Sequence, residues 1–221
     1  MFAIEEIVQN NLRNGAFPNP NIIKILNVKY LISPQQLNQS DLQLVKFDDT
    51  QKLYTYLIKN YSKRGYFVPA VNLITDEFER VKELNNPLFK PDSVAIIETE
   101  LSDFIEAPDS NSVEVTFINP NERQFKIFTD KQALFVISEL YFPPGWKTYL
   151  DGEQLATEKI YKTNHAIQSI VVPVGKHIVD LKFEPDSYAD NVLYASGSLV
   201  LLYLVIASSV VTNFIKKKKD S

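Results

Sequence analysis

The chain has no cysteine, and this absence removes disulfides, thiol catalysis and every thiolate metal site at once. Its two histidines, His165 and His177, are too few for most histidine-based metal centres. Glycine is scarce, at six residues, and no phosphate-cradling loop, nucleophile elbow or metal-ligand spacing appears. Together these absences leave no cofactor to expect. Basic charge is short as well: 23 Lys and Arg stand against 27 Asp and Glu, a net charge of −4. Setting aside Lys216–Lys219 and Asp220 leaves 19 basic and 26 acidic residues, a balance of −7. So acidic a body argues against nucleic acid as a partner. The start, MFAIEEIVQNNLRNG, has no basic region followed by an apolar run, so it does not read as a signal peptide.

What the chain does have is a long stretch without charge. Residues 191–215, NVLYASGSLVLLYLVIASSVVTNFI, run for 25 residues between Asp190 and Lys216 without one charged side chain. At about 1.5 Å of rise per residue, a helix of that length crosses a hydrocarbon core of roughly 30 Å. Lys216–Lys219 follow at once, and basic flanks favour the cytoplasmic side. Tyr188 and Tyr194 stand at the opposite end, where amphipathic rings suit the water–lipid boundary. The expectation is a transmembrane helix over 191–215, a cytoplasmic tail over 216–221, and the preceding residues outside. The lipid bilayer is then a partner. Such an orientation needs export machinery upstream, which points to a piece of a longer membrane protein. A tail-anchored protein facing the cytosol is the other solution.

Before the helix, the hydrophobic periodicity changes once. Ile4, Ile7, Val8 and Leu12 fall on one helical face, and Gly15 stops that helix. Residues 21–26 predict a second helix, and strands follow over 28–33, 41–47 and 52–60 with Asp48-Asp49-Thr50 as a turn. Residues 65–74 read as extended. Thr75 is placed to cap a helix whose first turn carries Asp76 and Glu77 and whose apolar face is Phe78, Val81 and Leu84. From Ser112 the strands become short and regularly spaced, with NPNE, TDKQ, PPG, Asp151-Gly152 and PVGK between them. The fold class expected is α+β. A small α+β unit over 1–100 precedes an antiparallel β-sandwich over 101–187, and Glu184-Pro185-Asp186 leads directly into the membrane helix. So short a linker sets the sandwich against the membrane surface.

Several side chains offer chemistry, each with two readings. Trp146, the sole tryptophan, lies near Tyr141, Tyr149, Glu139 and Asp151. These residues either stack a sugar ring and bond its hydroxyls, or cap the sandwich core while PPG places a turn. Asp151 before Gly152 also suits a hairpin. Arg64 with Lys63 either contacts a phosphate or polymer or forms a solvated surface pair. Glu98, Glu100, Asp103 and Glu106 read as an acidic loop, and the histidines as turn or edge residues.

LNVKYLI at 26–32, KRGYFVPA at 63–70, SELYFPPGWKTYLDG at 138–152, and the run from Asn164 through VPVGKH to FEPDSY together resemble the C-terminal part of the YfhO family. Those are bacterial membrane proteins with many helices and a GT-C-like architecture, linked to glycosylation of cell-surface polymers. The resemblance implies an accessory extracytoplasmic region and last membrane helix in a bacterial cell membrane. Its implied partners are upstream transmembrane helices and a cell-surface glycan or lipid-linked sugar. The family's catalytic acid belongs to an early loop that no position here matches. A stand-alone, membrane-anchored carbohydrate-binding module is the alternative.

Overall fold

A computed structural model describes residues 19–219. The helix expected over 3–14 lies outside them. The elements begin with α1 (Pro20–Ile25), β1 (Tyr30–Ser33), β2 (Leu42–Asp48), β3 (Leu53–Ile58), β4 (Gly65–Val68), β5 (Ala70–Leu73), α2 (Glu77–Leu84) and β6 (Val94–Ile97). They continue with β7 (Asn111–Asn119), β8 (Glu122–Thr129), β9 (Ala133–Leu140), β10 (Trp146–Leu150), β11 (Glu153–Gln154), β12 (Ile160–Thr163), β13 (Ile167–Val172), β14 (Gly175–Phe183) and α3 (Asp186–Lys219). The fold is α+β and mostly sheet.

Three sheets form. The first is antiparallel, in the order β1-β3-β2. Its turn is fixed by Asp48, whose carboxylate accepts from the N–H groups of Thr50 and Gln51 at 3.0 and 3.1 Å. Leu31 faces inward with Ile23, Leu42, Tyr56 and Ile58, while Tyr30 and Ile32 are exposed.

The other two sheets make the sandwich. One is five-stranded, β11-β10-β14-β8-β7, and wholly antiparallel. The other is six-stranded, β4-β9-β13-β12-β6-β5, and mixed, because β5 and β6 run parallel. The expected boundary at residue 100 does not separate these pairings: β4 pairs with β9, and β6 with β12. Only Pro69 separates β4 from β5, yet they occupy opposite edges of the sheet. The sheet must therefore curl until its two edges meet at that proline, which has no N–H to leave unpaired there.

Strand β9 explains the layering. Its residues Ala133–Ser138 are all buried, as expected of a strand covered on both faces. Ala133, Phe135 and Ile137 join Phe125, Ile127, Val179 and Leu181 between the sheets. Leu134 and Val136 face the other way, onto Ile22 and Ile25 of α1 and Leu84 of α2.

Helix α2 starts one residue later than its sequence suggests. Asp76 is the cap, its carboxylate accepting from Glu79 N–H at 2.9 Å. Its buried residues are Arg80 and Leu84, whereas Phe78 is exposed. Arg80 is held inside because its guanidinium donates to the carbonyls of Ile74 and Thr75 and pairs with Glu98 at 3.3 Å.

Helix α3 leaves β14 after two residues. Its stretch Asn191–Ser209 is long and apolar enough to cross a membrane, and none of it is buried against the body. A helix with apolar residues all round and no protein cover is what hydrocarbon solvent demands.

Candidate functional site

The inward-facing rows of the sandwich run out of apolar residues at one end. On β9 the row Ala133, Phe135, Ile137 continues into Glu139; on β8 the row Ile127, Phe125 continues into Arg123. On β10 the buried Thr148 is followed, two residues back, by Trp146. Strand periodicity alone therefore brings a carboxylate, a guanidinium and an indole together at the mouth of the core.

Their geometry is specific. Glu139 Oε1 accepts from Arg123 Nε at 2.9 Å and from Arg64. Arg64 is carried by the residue before β4, whose carbonyl accepts from Ser138 N–H at 2.8 Å. The Arg123 guanidinium lies 5.5 Å from the Trp146 ring centre, within cation–π range. The edge of Trp146 meets Phe183 with centroids 5.2 Å apart. Gly145 permits this approach: a Cβ there would stand 2.4 Å from the Phe183 ring and 2.7 Å from that of Phe142. Two guanidiniums against one carboxylate leave a positive surplus within this cluster. A planar aromatic beside surplus guanidinium charge suits an anionic or sugar-phosphate group.

Of the residues singled out in the sequence, Arg64, Glu139 and Trp146 converge. Arg64 is ion-paired rather than a member of a solvated pair, while its neighbour Lys63 is exposed. Tyr149 does not join them. Three residues from Trp146 along a strand, it lies on the opposite face of β10, so the two rings form no common platform. Its hydroxyl donates to Glu184 at 2.9 Å, Lys182 lies over its ring at 5.1 Å, and its pKa is raised by that hydrogen bond, burial and the Glu184 charge. Tyr141 packs against the sandwich core, with its pKa raised by burial and by the charges of Glu98 and Glu158.

Asp151 is a hairpin residue between β10 and β11, at φ 53° with Gly152 at φ 86°. Its carboxylate meets His177 Nδ1 at 2.6 Å and accepts from Ile178 N–H at 2.8 Å. Burial would raise its pKa, but those two hydrogen bonds and the His177 charge outweigh it and lower it. Beside this pair a groove of about 420 Å³ opens, lined by Glu114, Lys126, Phe128 and Lys176.

Two features were missed in the sequence. Arg123 sits at an inward strand parity beside Phe125 and Ile127, a readable signal. The second is the β12–β13 connection, where Asn164 and His165 both take positive φ, 47° and 68°, and both are buried. Asn164 locks this turn onto β6, exchanging hydrogen bonds with Ile96 N–H at 2.9 Å and Ile96 C=O at 2.8 Å. His165 has neither ring nitrogen hydrogen-bonded among the described residues, and its Nε2 lies 3.7 Å from Glu77. Burial, then the charges of Lys162 and Arg80, lower its pKa against the pull of Glu98. Glu98 accordingly belongs to an ion-pair cluster, with Lys162 Nζ at 2.8 Å and Arg80, whereas Glu100, Asp103 and Glu106 remain exposed as an acidic loop. The described residues contain no group of three side chains placed to hold a metal.

Compared with protein families, curated proteins and solved structures, the chain matches none.

Proposed function

We propose that the chain is an accessory extracytoplasmic domain with its membrane anchor, working beside the helices of a YfhO-like membrane protein in glycosylation of a cell-surface polymer. The observation that carries this reading is α3: an uncovered apolar helix leaving the sandwich two residues after its last strand. Four lysines beyond it support a cytoplasmic end, with the body on the outer face of a bacterial cell membrane. The order and spacing of the four quoted segments support the family. In this role the chain supplies no reacting group. It holds an anionic sugar or lipid-linked sugar near the bilayer with Arg64, Arg123 and Trp146.

The test uses the full chain in bacterial membranes and then in nanodiscs. Protease added to spheroplasts should digest the body; protection of the body would instead make this a tail-anchored adaptor. Nanodiscs containing a polyprenyl-phosphate sugar should bind the sugar carrier, and Arg123→Gln should weaken that binding. No difference from nanodiscs lacking the carrier would refute the role.

The groove beside Asp151 favours a second reading, a membrane-anchored carbohydrate-binding module, since it combines Phe128 with charged hydrogen-bonding side chains. This version predicts binding of free cell-wall polymer that Phe128→Ala abolishes and Arg123→Gln leaves intact.

A further inference from the structure

The end of the sandwich that carries Arg64, Glu139 and Arg123 is also the end from which α3 departs. Glu184 N–H donates to the Gly145 carbonyl at 2.7 Å, and Phe183 N–H to that of Asn121, also at 2.7 Å. These bonds tie the base of α3 to the β7–β8 hairpin and to the turn before β10. Large apolar side chains lie around that base: Ile118 is 54% exposed, Phe142 49% and Phe183 38%. Exposed apolar residues also occur singly elsewhere, such as Leu88 and Phe104, and scattered ones need no account. This group differs because it adjoins the helix able to cross a membrane.

Distance limits what can cover it. Three residues from Phe183 to Asp186 span at most about 11 Å. Five helical residues from Asp186 to Asn191 add about 7.5 Å. The headgroup layer itself occupies roughly 5–8 Å on each side of the hydrocarbon. With Asn191 at the edge of the hydrocarbon, Phe183 stands at most about 18 Å from it, no more than about 10–13 Å beyond the headgroup layer, and Tyr188, 70% exposed, lies between. Aromatic and apolar side chains beside guanidiniums are the composition that interfacial anchors use.

We infer that Ile118, Phe142 and Phe183 insert into the headgroup layer of an anionic bilayer, with Arg64 facing lipid phosphates. The anchor thus has two parts, a spanning helix and a seated rim. The rim holds the body in one orientation to the membrane rather than letting it swing on Glu184-Pro185. This inference rests on the reading of α3 as a membrane span and adds the rim to it.

Trp146 is the only tryptophan and touches this rim, so its fluorescence reports the seating directly. The full chain is reconstituted in phosphatidylcholine vesicles with or without phosphatidylglycerol, using lipids brominated near the headgroup. Protection of the Lys216–Lys219 end from added protease reports insertion of α3 separately. Seating predicts quenched, blue-shifted Trp146 emission, with more quenching when phosphatidylglycerol is present. Ile118→Ser with Phe142→Ser should lose most of the quenching while the far-ultraviolet circular dichroism stays unchanged. Arg64→Gln should reduce the phosphatidylglycerol dependence. Inserted α3 with unquenched Trp146 overturns the rim alone, and so does a double variant quenched like the parent. Failure of α3 to insert overturns the anchoring and the rim together.

Discussion

Neutralising Glu139 by Glu139→Gln keeps the shape of the side chain and leaves Arg64 and Arg123 facing each other. The side chains of Glu139 and Arg123 are each 12% exposed, whereas that of Arg64 is 32% exposed. Removing one partner from a buried ion pair costs about 3–5 kcal/mol, because the remaining charge is stranded. Residual exposure places Glu139→Gln at the lower end, about 3 kcal/mol. Arg64→Gln leaves the Arg123–Glu139 pair intact and removes a bond partly screened by water, which costs about 1 kcal/mol or less. A protein of this size loses about 2–4 °C of melting temperature per kcal/mol. The two variants should therefore differ clearly, with losses of about 6–12 °C for Glu139→Gln and at most about 2–4 °C for Arg64→Gln. Thermal unfolding of the full chain in nanodiscs, followed by Trp146 emission, measures both, since Arg123 lies against that ring. Equal losses would show that Glu139 is solvated and that the cluster does not close the core.

Gly65→Ala should destabilise the body by about 1–3 kcal/mol in urea unfolding. Its Cβ would lie 2.6 Å from Phe135 Cζ, within a ring that has no exposed surface to escape to. Asp76→Ala should cost about 1 kcal/mol by removing the cap, and Thr75→Ala close to nothing; the reverse order would restore Thr75 as the cap. His165 is kept neutral in the fold, so protons bind the unfolded chain more readily. Stability should therefore fall as pH drops below the ordinary histidine value of about 6.5, and His165→Gln should flatten that slope in melts across this range.

The sequence was most readable where one periodicity ruled a whole element. Helix α3 needed only its uninterrupted apolar run, and the β2–β3 hairpin showed through its Asp48 turn. It was least readable where an inward position holds a charge. Arg80 and Phe78 exchange the expected places on α2 because Glu98 and two carbonyls satisfy the guanidinium, and those partners lie on other elements. The sheet order was hidden for a related reason. Alternation reports that a strand has two faces but not which strand lies beside it, so β4 and β5 read as one extended segment. The candidate site was half legible: Trp146, Glu139 and Arg64 stood out by residue type, while Arg123 was not singled out. Grouping Tyr149 with Trp146 failed for a local reason, since an odd spacing on a strand points two rings apart.

The curled six-stranded sheet imposes a timetable on the chain. Arg64 and Glu139 are 75 residues apart, and Asn164 meets Ile96 across 68. When the chain emerges from its amino end, β4, β5 and β6 have apolar faces ready and most of their edges unmatched until β9, β12 and β13 arrive. Closing such distant pairs is slow, and open edges invite wrong pairing in the interval. Strand β14 is the last to join, and α3 follows it after two residues. Completion of the body and emergence of the helix long enough to cross a membrane thus occur almost together, so the two cannot be widely separated in time as the chain emerges.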